Sequence, residues 1–344
     1  MADGCRECMK GAKLVLFITG KCAKTCYYCP ISETRRNRDT SFANEVVIEH
    51  PKEAIAEAHL IDATGMGITG GEPLNEVEKT AQFIRAFKEK FGSEFHVHLY
   101  TGLEPVSLDA VKRLIDAGLD ELRLHRFTLG TDYANLRAIT KNRIKLGIEI
   151  PVIPGMLEQL KHFLRQLEAV GVDFVNLNEL EYTGLNADDL KRHGLMLDPD
   201  TIASVQGSEA EAIELLEWAA AETILNIHYC PLALKDGTQL RNRFLRRAKN
   251  VAKPFEQITE EGLLVKGVIK PRPGTSLADT VEIVIRISGV SKGGLWLNES
   301  RGQIETKTTL VQRYAKQLKA EGFNIGIAEE YPIASRFQVS FTPL

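Results

Sequence analysis

Two periodicities take turns along the first two thirds of the chain. Short apolar runs, many of them β-branched, occur as "KLVLFITG" (13–20), "GMGITG" (65–70), "HVHLYTG" (96–102), "ELRLHRF" (121–127), "IEIPVIPG" (148–155), "DFVNLNELEY" (173–182) and "TILNIHYC" (223–230), and they read as strands. Between them, "VEKTAQFIRAFKEKFG" (77–92), "LDAVKRLIDAGL" (108–119) and "LEQLKHFLRQLEAVG" (157–171) place apolar residues three or four apart, and glycine near the end of each marks a helix C-terminus. Strands that alternate with helices in this way predict βα units around a parallel sheet with right-handed crossovers. Seven such runs over residues 13–232 suit a βα barrel, full or partial, better than a short open sheet.

Beyond residue 232 the pattern changes. In "KDGTQLRNRFLRRAKNVAK" (235–253) Leu240, Phe244, Ala248 and Val251 fall on one helical stripe, while Arg241, Arg243, Arg246, Arg247, Lys249 and Lys253 surround it. Residues 233–257 therefore read as a basic helix and a linker that ends in "KPFEQITEEG". From 258 to 344 the runs "GLLVKGVIK", "TVEIVIRIS", "GGLWLNE", "NIGIAE" and "RFQVSF" alternate like half-buried antiparallel strands, with one helix at "TTLVQRYAKQLKAEG" (308–322). This predicts a small α+β domain after the barrel. Residues 1–12 form a short extension that contains two cysteines.

Composition narrows the class. Of 344 residues, 44% are apolar and 26% charged, with a formal net charge of -3, which gives no global attraction to nucleic acid or membrane. No apolar run approaches the ~18 residues a membrane span needs, and "MADGCRECMKGAK" lacks the pattern of a secretory leader, so the expected location is the cytoplasm. Thiols there are kept reduced, so the six cysteines read as metal ligands or reactive thiols rather than disulfides.

The densest chemistry is "CAKTCYYC". Cys22, Cys26 and Cys29 follow a C-x3-C-x2-C spacing in the loop that leaves the first strand. Such spacing can set three sulfurs around one face of a 4Fe-4S cluster and leave one iron open; a zinc knuckle with a distant fourth ligand, or simple packing, are the alternatives. The end of the second strand, "GGEP", carries Gly70, Gly71, Glu72 and Pro73, where two glycines let the backbone approach a small polar ligand. Both motifs open on the rim where such barrels hold their active sites.

Together, "CAKTCYYC" with Tyr28 before the third cysteine and the following "GGEP" resemble the radical S-adenosylmethionine (SAM) superfamily over residues 13–230. Within it, the texture is closest to the activases of pyruvate formate-lyase and their archaeal relatives. The resemblance implies a 4Fe-4S cluster on Cys22, Cys26 and Cys29 whose open iron is chelated by SAM. A reducing electron donor then drives cleavage of SAM to methionine and a 5'-deoxyadenosyl radical that abstracts hydrogen from a substrate. It further implies that Tyr28 meets the adenine side, that Gly70, Gly71 and Glu72 accept from the methionine ammonium beside Pro73, and that Thr101, Arg123 and His125 supply ribose and carboxylate contacts. The segment "IPVIPG" (150–155) would face the adenine.

Three cysteines remain. Cys5 and Cys8 precede the first strand and Cys230 ends the last; in a closed or nearly closed barrel those strands are neighbours. With His228, which lies two residues before Cys230 and points the same way, they can form a Cys3His zinc site or hold an auxiliary iron–sulfur cluster. The substrate stays open between RNA, for which the basic helix and "ETRRNR" (33–38) offer phosphate contacts, a peptide or protein as for a glycyl-radical activase, and a small metabolite. A metal-stabilised binding or electron-transfer module is the non-enzymatic alternative.

Overall fold

The computed structural model describes residues 1–344, which divide into two compact units, Met1–Leu240 and Arg241–Leu344. In the first unit the strands are β1 (Lys13–Phe17), β2 (Ser41–Ala43), β3 (Val46–Ile48), β4 (Gly65–Thr69), β5 (His96–Thr101), β6 (Glu121–Leu124), β7 (Lys145–Val152), β8 (Phe174–Glu179) and β9 (Ile227–Cys230). Their order is β3-β2-β1-β4-β5-β6-β7-β8-β9; β1 and β4 to β9 run parallel, and β2–β3 is an antiparallel hairpin laid on the outer edge of β1. The hairpin takes the backbone groups with which β1 would close the ring onto β9. The barrel is therefore partial, and the expectation that its first and last strands are neighbours does not hold.

Helices α1 (Asp3–Met9), α2 (Pro51–Leu60), α3 (Val77–Phe91), α4 (Leu108–Ala117), α5 (Tyr133–Ile139), α6 (Leu157–Val170), α7 (Ala187–Arg192) and α8 (Ser208–Glu222) complete the unit. Strand parity assigns the two faces of the sheet. Met66 and Ile68, Val97 and Leu99, Leu122 and Leu124, Leu146 and Ile148, and Val175 and Leu177 are fully buried in one core with Phe83, Phe87, Leu114, Phe163 and Leu215 of the helices. The alternate positions carry His96, His98 and Tyr100, then Glu121, Arg123 and His125, then Glu149, then Asn176 and Asn178. The barrel interior is thus polar.

Arg123 organises that interior. It is 2% exposed, and its guanidinium pairs with Glu121 and, at 2.6 Å, with Glu149, and donates to the Tyr100 hydroxyl at 3.2 Å. Glu149 also accepts from Asn176 at 3.0 Å and Asn178 at 3.2 Å. Burial would raise the Glu149 carboxyl, but Arg123 and the Asn176 amide outweigh it and hold its pKa at about 2. Helix α1 covers this layer: a Cβ on Gly4 would lie 2.4 Å from His98 Nδ1 and 2.7 Å from Arg123 Nη2, so only glycine fits.

The second unit is an antiparallel sheet of β10 (Gln257–Ile258), β11 (Leu264–Lys270), β12 (Trp296–Asn298), β13 (Gln303–Thr306), β14 (Asn324–Glu330) and β15 (Gln338–Pro343), in the order β12-β13-β11-β14-β15 with β10 on β11. The expected strand "TVEIVIRIS" lies instead in a helix, Leu277–Ser288. Ser276 caps it by accepting from the Asp279 amide at 3.0 Å, Gly289 ends it, and Leu277, Val281 and Val284 turn inward at helical spacing, which overrides the β-branched composition. The basic helix, Arg241–Val251, belongs to this unit; Arg247 is buried among its apolar neighbours and donates to the Pro332 carbonyl. "KPFEQITEEG" is no linker either, because Glu256 is buried and paired with Lys266 and Arg336. No helix is long and apolar enough to cross a membrane.

The depressed Glu149 pKa contributes stability that is present above the ordinary carboxyl value of 4.5 and is lost as pH falls through about 2. At neutral pH, Glu149→Gln should destabilise the protein by ~3 kcal/mol. In urea titrations from pH 7 to pH 2 the gap between the two proteins should shrink below pH 4.5; a constant gap would contradict the pairing.

Candidate active site

A cavity of about 560 Å³ opens at the C-terminal ends of the strands and is lined by Cys22, Cys26 and Cys29 of the β1 loop, by Thr69 to Pro73 after β4, and by residues of β5 to β8. The two motifs are held together by backbone. Past the β1–β4 ladder, the Gly71 amide donates to Thr19 O at 2.6 Å and the Glu72 amide to Lys21 O at 2.9 Å. A Cβ on Gly71 would sit 2.4 Å from Lys21 O, and one on Gly20 would sit 1.7 Å from Arg35 O, so both glycines are needed for the chains to meet. The carbonyls of Gly70 and Gly71 accept no hydrogen bond within the fold.

Glu72 differs from expectation. Its carboxylate is 3% exposed and is filled by the Thr101 hydroxyl at 2.7 Å, the Gly102 amide at 2.8 Å and the Leu74 amide at 3.0 Å. It caps the 3-10 turn Pro73–Glu76 and ties β4 to β5. Thr101 takes part in the same contact and also accepts from the Leu103 amide, so both side chains are largely engaged within the fold while still lining the cavity. Arg123, expected at the rim, is held one layer below it by Glu121 and Glu149 and does not line the cavity.

His125 does line it. Its Nδ1 lies 2.9 Å from the Glu149 carbonyl, which can only accept, so Nδ1 carries the proton and Nε2 receives the Tyr28 hydroxyl at 3.0 Å. Burial pushes the ring pKa below its ordinary value and keeps it neutral. With both nitrogens engaged, His125 is not free to ligate metal.

The Tyr28 ring packs near Tyr27, Phe127 and the apolar cluster of Ile153, Leu180, Leu190, Leu195 and Val205. Asn186 donates to the Tyr28 carbonyl at 3.1 Å, so the segment between β8 and α8, which the sequence left unread, clamps the cysteine loop from above. Pro151 of the "IPVIPG" segment and Arg36 of "ETRRNR" line the cavity, as do Glu149, Asn178, Glu181, Lys24 and Lys235, which were not singled out from the sequence. The alternation of Glu149 and Pro151, and of Asn176 and Asn178, with apolar neighbours was the available signal.

The remaining thiols come near one another without touching. Cys8 Sγ donates to Gln239 Oε1 at 2.8 Å, Gln239 Nε2 lies 3.5 Å from Cys230 Sγ, and Cys5 Sγ accepts from Asn176 at 3.1 Å.

The radical SAM superfamily profile matches residues 16–150, and that of a domain of unknown function, DUF8061, matches residues 262–344. A protein of Methanocaldococcus jannaschii, provisionally named a glycyl-radical enzyme activating enzyme, is 38% identical over 364 aligned positions that cover 100% of this chain and 93% of that one. Streptococcus suis SuiB bound to S-adenosylmethionine superposes with a TM-score of 0.47 at 13% identity over 64% of this chain and 50% of its own, so the chain spans about half the length of SuiB. Coproporphyrinogen III oxidase from Escherichia coli, described as a radical SAM enzyme, gives a TM-score of 0.38 at 9% identity over 92% and 93% of the two chains.

The anchoring of Glu72 has a measurable consequence. Glu72→Gln should lower unfolding free energy by ~2 kcal/mol, and Thr101→Val by ~1 kcal/mol. Combined, they should cost less than the sum in urea denaturation; strict additivity would show that the two side chains do not share a bond.

Proposed function

The chain belongs to the radical SAM superfamily, and on that premise we propose that Cys22, Cys26 and Cys29 hold a 4Fe-4S cluster, that SAM lies in the cavity beside it, and that the substrate is a glycine residue of a partner polypeptide. The observation that carries this reading is the convergence of three cysteines and two unengaged glycine carbonyls on one cavity. The donor set fits the cluster: three thiols on one loop and no free histidine within the lining, which leaves one iron for an outside ligand. A volume of about 560 Å³ also suits a nucleoside joined to an amino acid.

When bound, the cluster supplies an electron, received from a reducing donor, that cleaves SAM to methionine and a 5'-deoxyadenosyl radical. The chain's own residues position and shield. Gly70 and Gly71 offer carbonyls to the methionine ammonium, and Glu72 acts only through the turn it holds. Lys24, Arg36 and Lys235 provide positive charge for the methionine carboxylate, in place of Arg123 and Thr101. Tyr28, fixed by His125, and Pro151 form an apolar wall for the adenine.

The whole-length relative supports an activase. Of the basic helix, Arg247 is buried while Arg241 and Lys249 stay exposed, so the RNA reading keeps only part of its cationic face. Six cysteines outside any disulfide support a reducing compartment such as the cytoplasm.

Anaerobically reconstituted protein, reduced with dithionite, should release 5'-deoxyadenosine and methionine from SAM, whereas Cys26→Ala should lose the iron and this release together. An intact, reduced cluster that leaves SAM unchanged would overturn the reading. A synthetic glycine-rich peptide bearing dideuterated glycine should pass deuterium to 5'-deoxyadenosine; transfer from deuterated RNA instead would overturn the activase assignment.

A further inference from the structure

We propose that Cys5, Cys8, His228 and Cys230 form a second metal site, for a single zinc ion, between α1 and the edge strand β9. Cys5 and Cys8 are three residues apart on α1, so they share a face, as do His228 and Cys230, two apart on β9. The structure sets these two faces against each other. Cys5 Sγ lies 3.1 Å from Asn176 Nδ2, and Asn176 is paired in register with His228. One turn further on, Cys8 Sγ and Cys230 Sγ flank the same Gln239 carboxamide at 2.8 and 3.5 Å.

The spacing suits one ion. Three residues of helix rise give ~4.5 Å between Cys5 and Cys8 along the axis, and two residues of strand give ~6.6 Å between His228 and Cys230. Side chains from four such positions can swing inward to zinc bonds of ~2.3 Å to sulfur and ~2.0 Å to nitrogen. Between Cys8 and Cys230 stands Gln239, carried on a π-helical turn, Lys235–Leu240, of the kind that often marks a functional position, while Cys5 is held by Asn176. A carboxamide bound only to sulfur is weakly held and easily displaced. The His228 imidazole makes no hydrogen bond in the fold, and none of the three cysteines is in a disulfide.

Charge decides between this site and the other donor cluster, His96, His98 and Glu121. There the Glu121 carboxylate is already held by Arg123, and Lys13 and Arg123 both face His98, so a cation would meet fixed positive charge. Zinc with three thiolates and one neutral imidazole instead carries about one negative charge, and it would lie near Arg123, which faces Cys5, and Lys235, which faces Cys230; the Glu149 carboxylate that also faces both thiols is paired with Arg123. The site is soft in donors and complementary in charge. It would pin α1 across the open side of the barrel.

The test is independent of the radical chemistry. A chain with Cys22, Cys26 and Cys29 all replaced by alanine, purified anaerobically and dialysed against a weak chelator, should retain about one zinc by elemental analysis. Replacing that zinc with cobalt should give thiolate-to-cobalt charge-transfer absorption. Cys8→Ser with Cys230→Ser should lower zinc at least tenfold and abolish the cobalt band, whereas Gln239→Ala should keep both. Zinc-free folded parent protein, or zinc that persists in the double variant, would overturn the site. Iron and sulfide in place of zinc would overturn the assignment of the metal.

Discussion

A guanidinium cannot be left without partners in a low-dielectric interior, and Arg123 stands in the middle of this barrel. Glu121 and Glu149 balance it, the Tyr100 hydroxyl accepts from it, and Asn176 and Asn178 donate to Glu149. The consequence reaches the cavity. The residue whose side chain pairs with Arg123, Glu149, gives its own carbonyl to His125, and His125 in turn takes the hydroxyl of Tyr28. One buried charge therefore sets, through two residues, the orientation of the aromatic that stands between the second and third cysteines of the loop.

Division of labour at the rim follows from what each group has left to bond. Glu72 and Thr101 spend most of their capacity on each other and on nearby amides, which makes the turn rigid. The free capacity is in backbone carbonyls and in cations on loops. A site built this way takes its precision from buried carboxylates and presents main chain to whatever binds.

Much of this was legible in the sequence because parallel strands and amphipathic helices have distinct periods, and because three cysteines and a Gly-Gly-Glu-Pro turn sit at strand ends. The side-chain roles were less legible. Parity alone puts Arg123 and His125 on the same face of β6, but which layer each occupies depends on the depth of the barrel, and only His125 reaches the cavity. The β2–β3 hairpin escaped notice because its strands are three residues each, too short for a periodic signal. "TVEIVIRIS" misled because its β-branched residues suit a strand, whereas Ser276 and Gly289, just outside the run, carry the helix boundaries. The polar interior could have been read from Asn176, Asn178 and Glu149, had alternation within the strands been weighed as heavily as alternation between elements.

The contact between Cys8 and Gln239 joins residues 231 positions apart. Contacts of such separation form late, since a long loop must close before they stabilise anything. The helices and central strands can assemble from local pairings while the polar interior is still open to water on the α1 side. If α1 seats after them, the ion pairs of Arg123 form in a hydrated, high-dielectric channel, where bringing opposite charges together carries little desolvation cost.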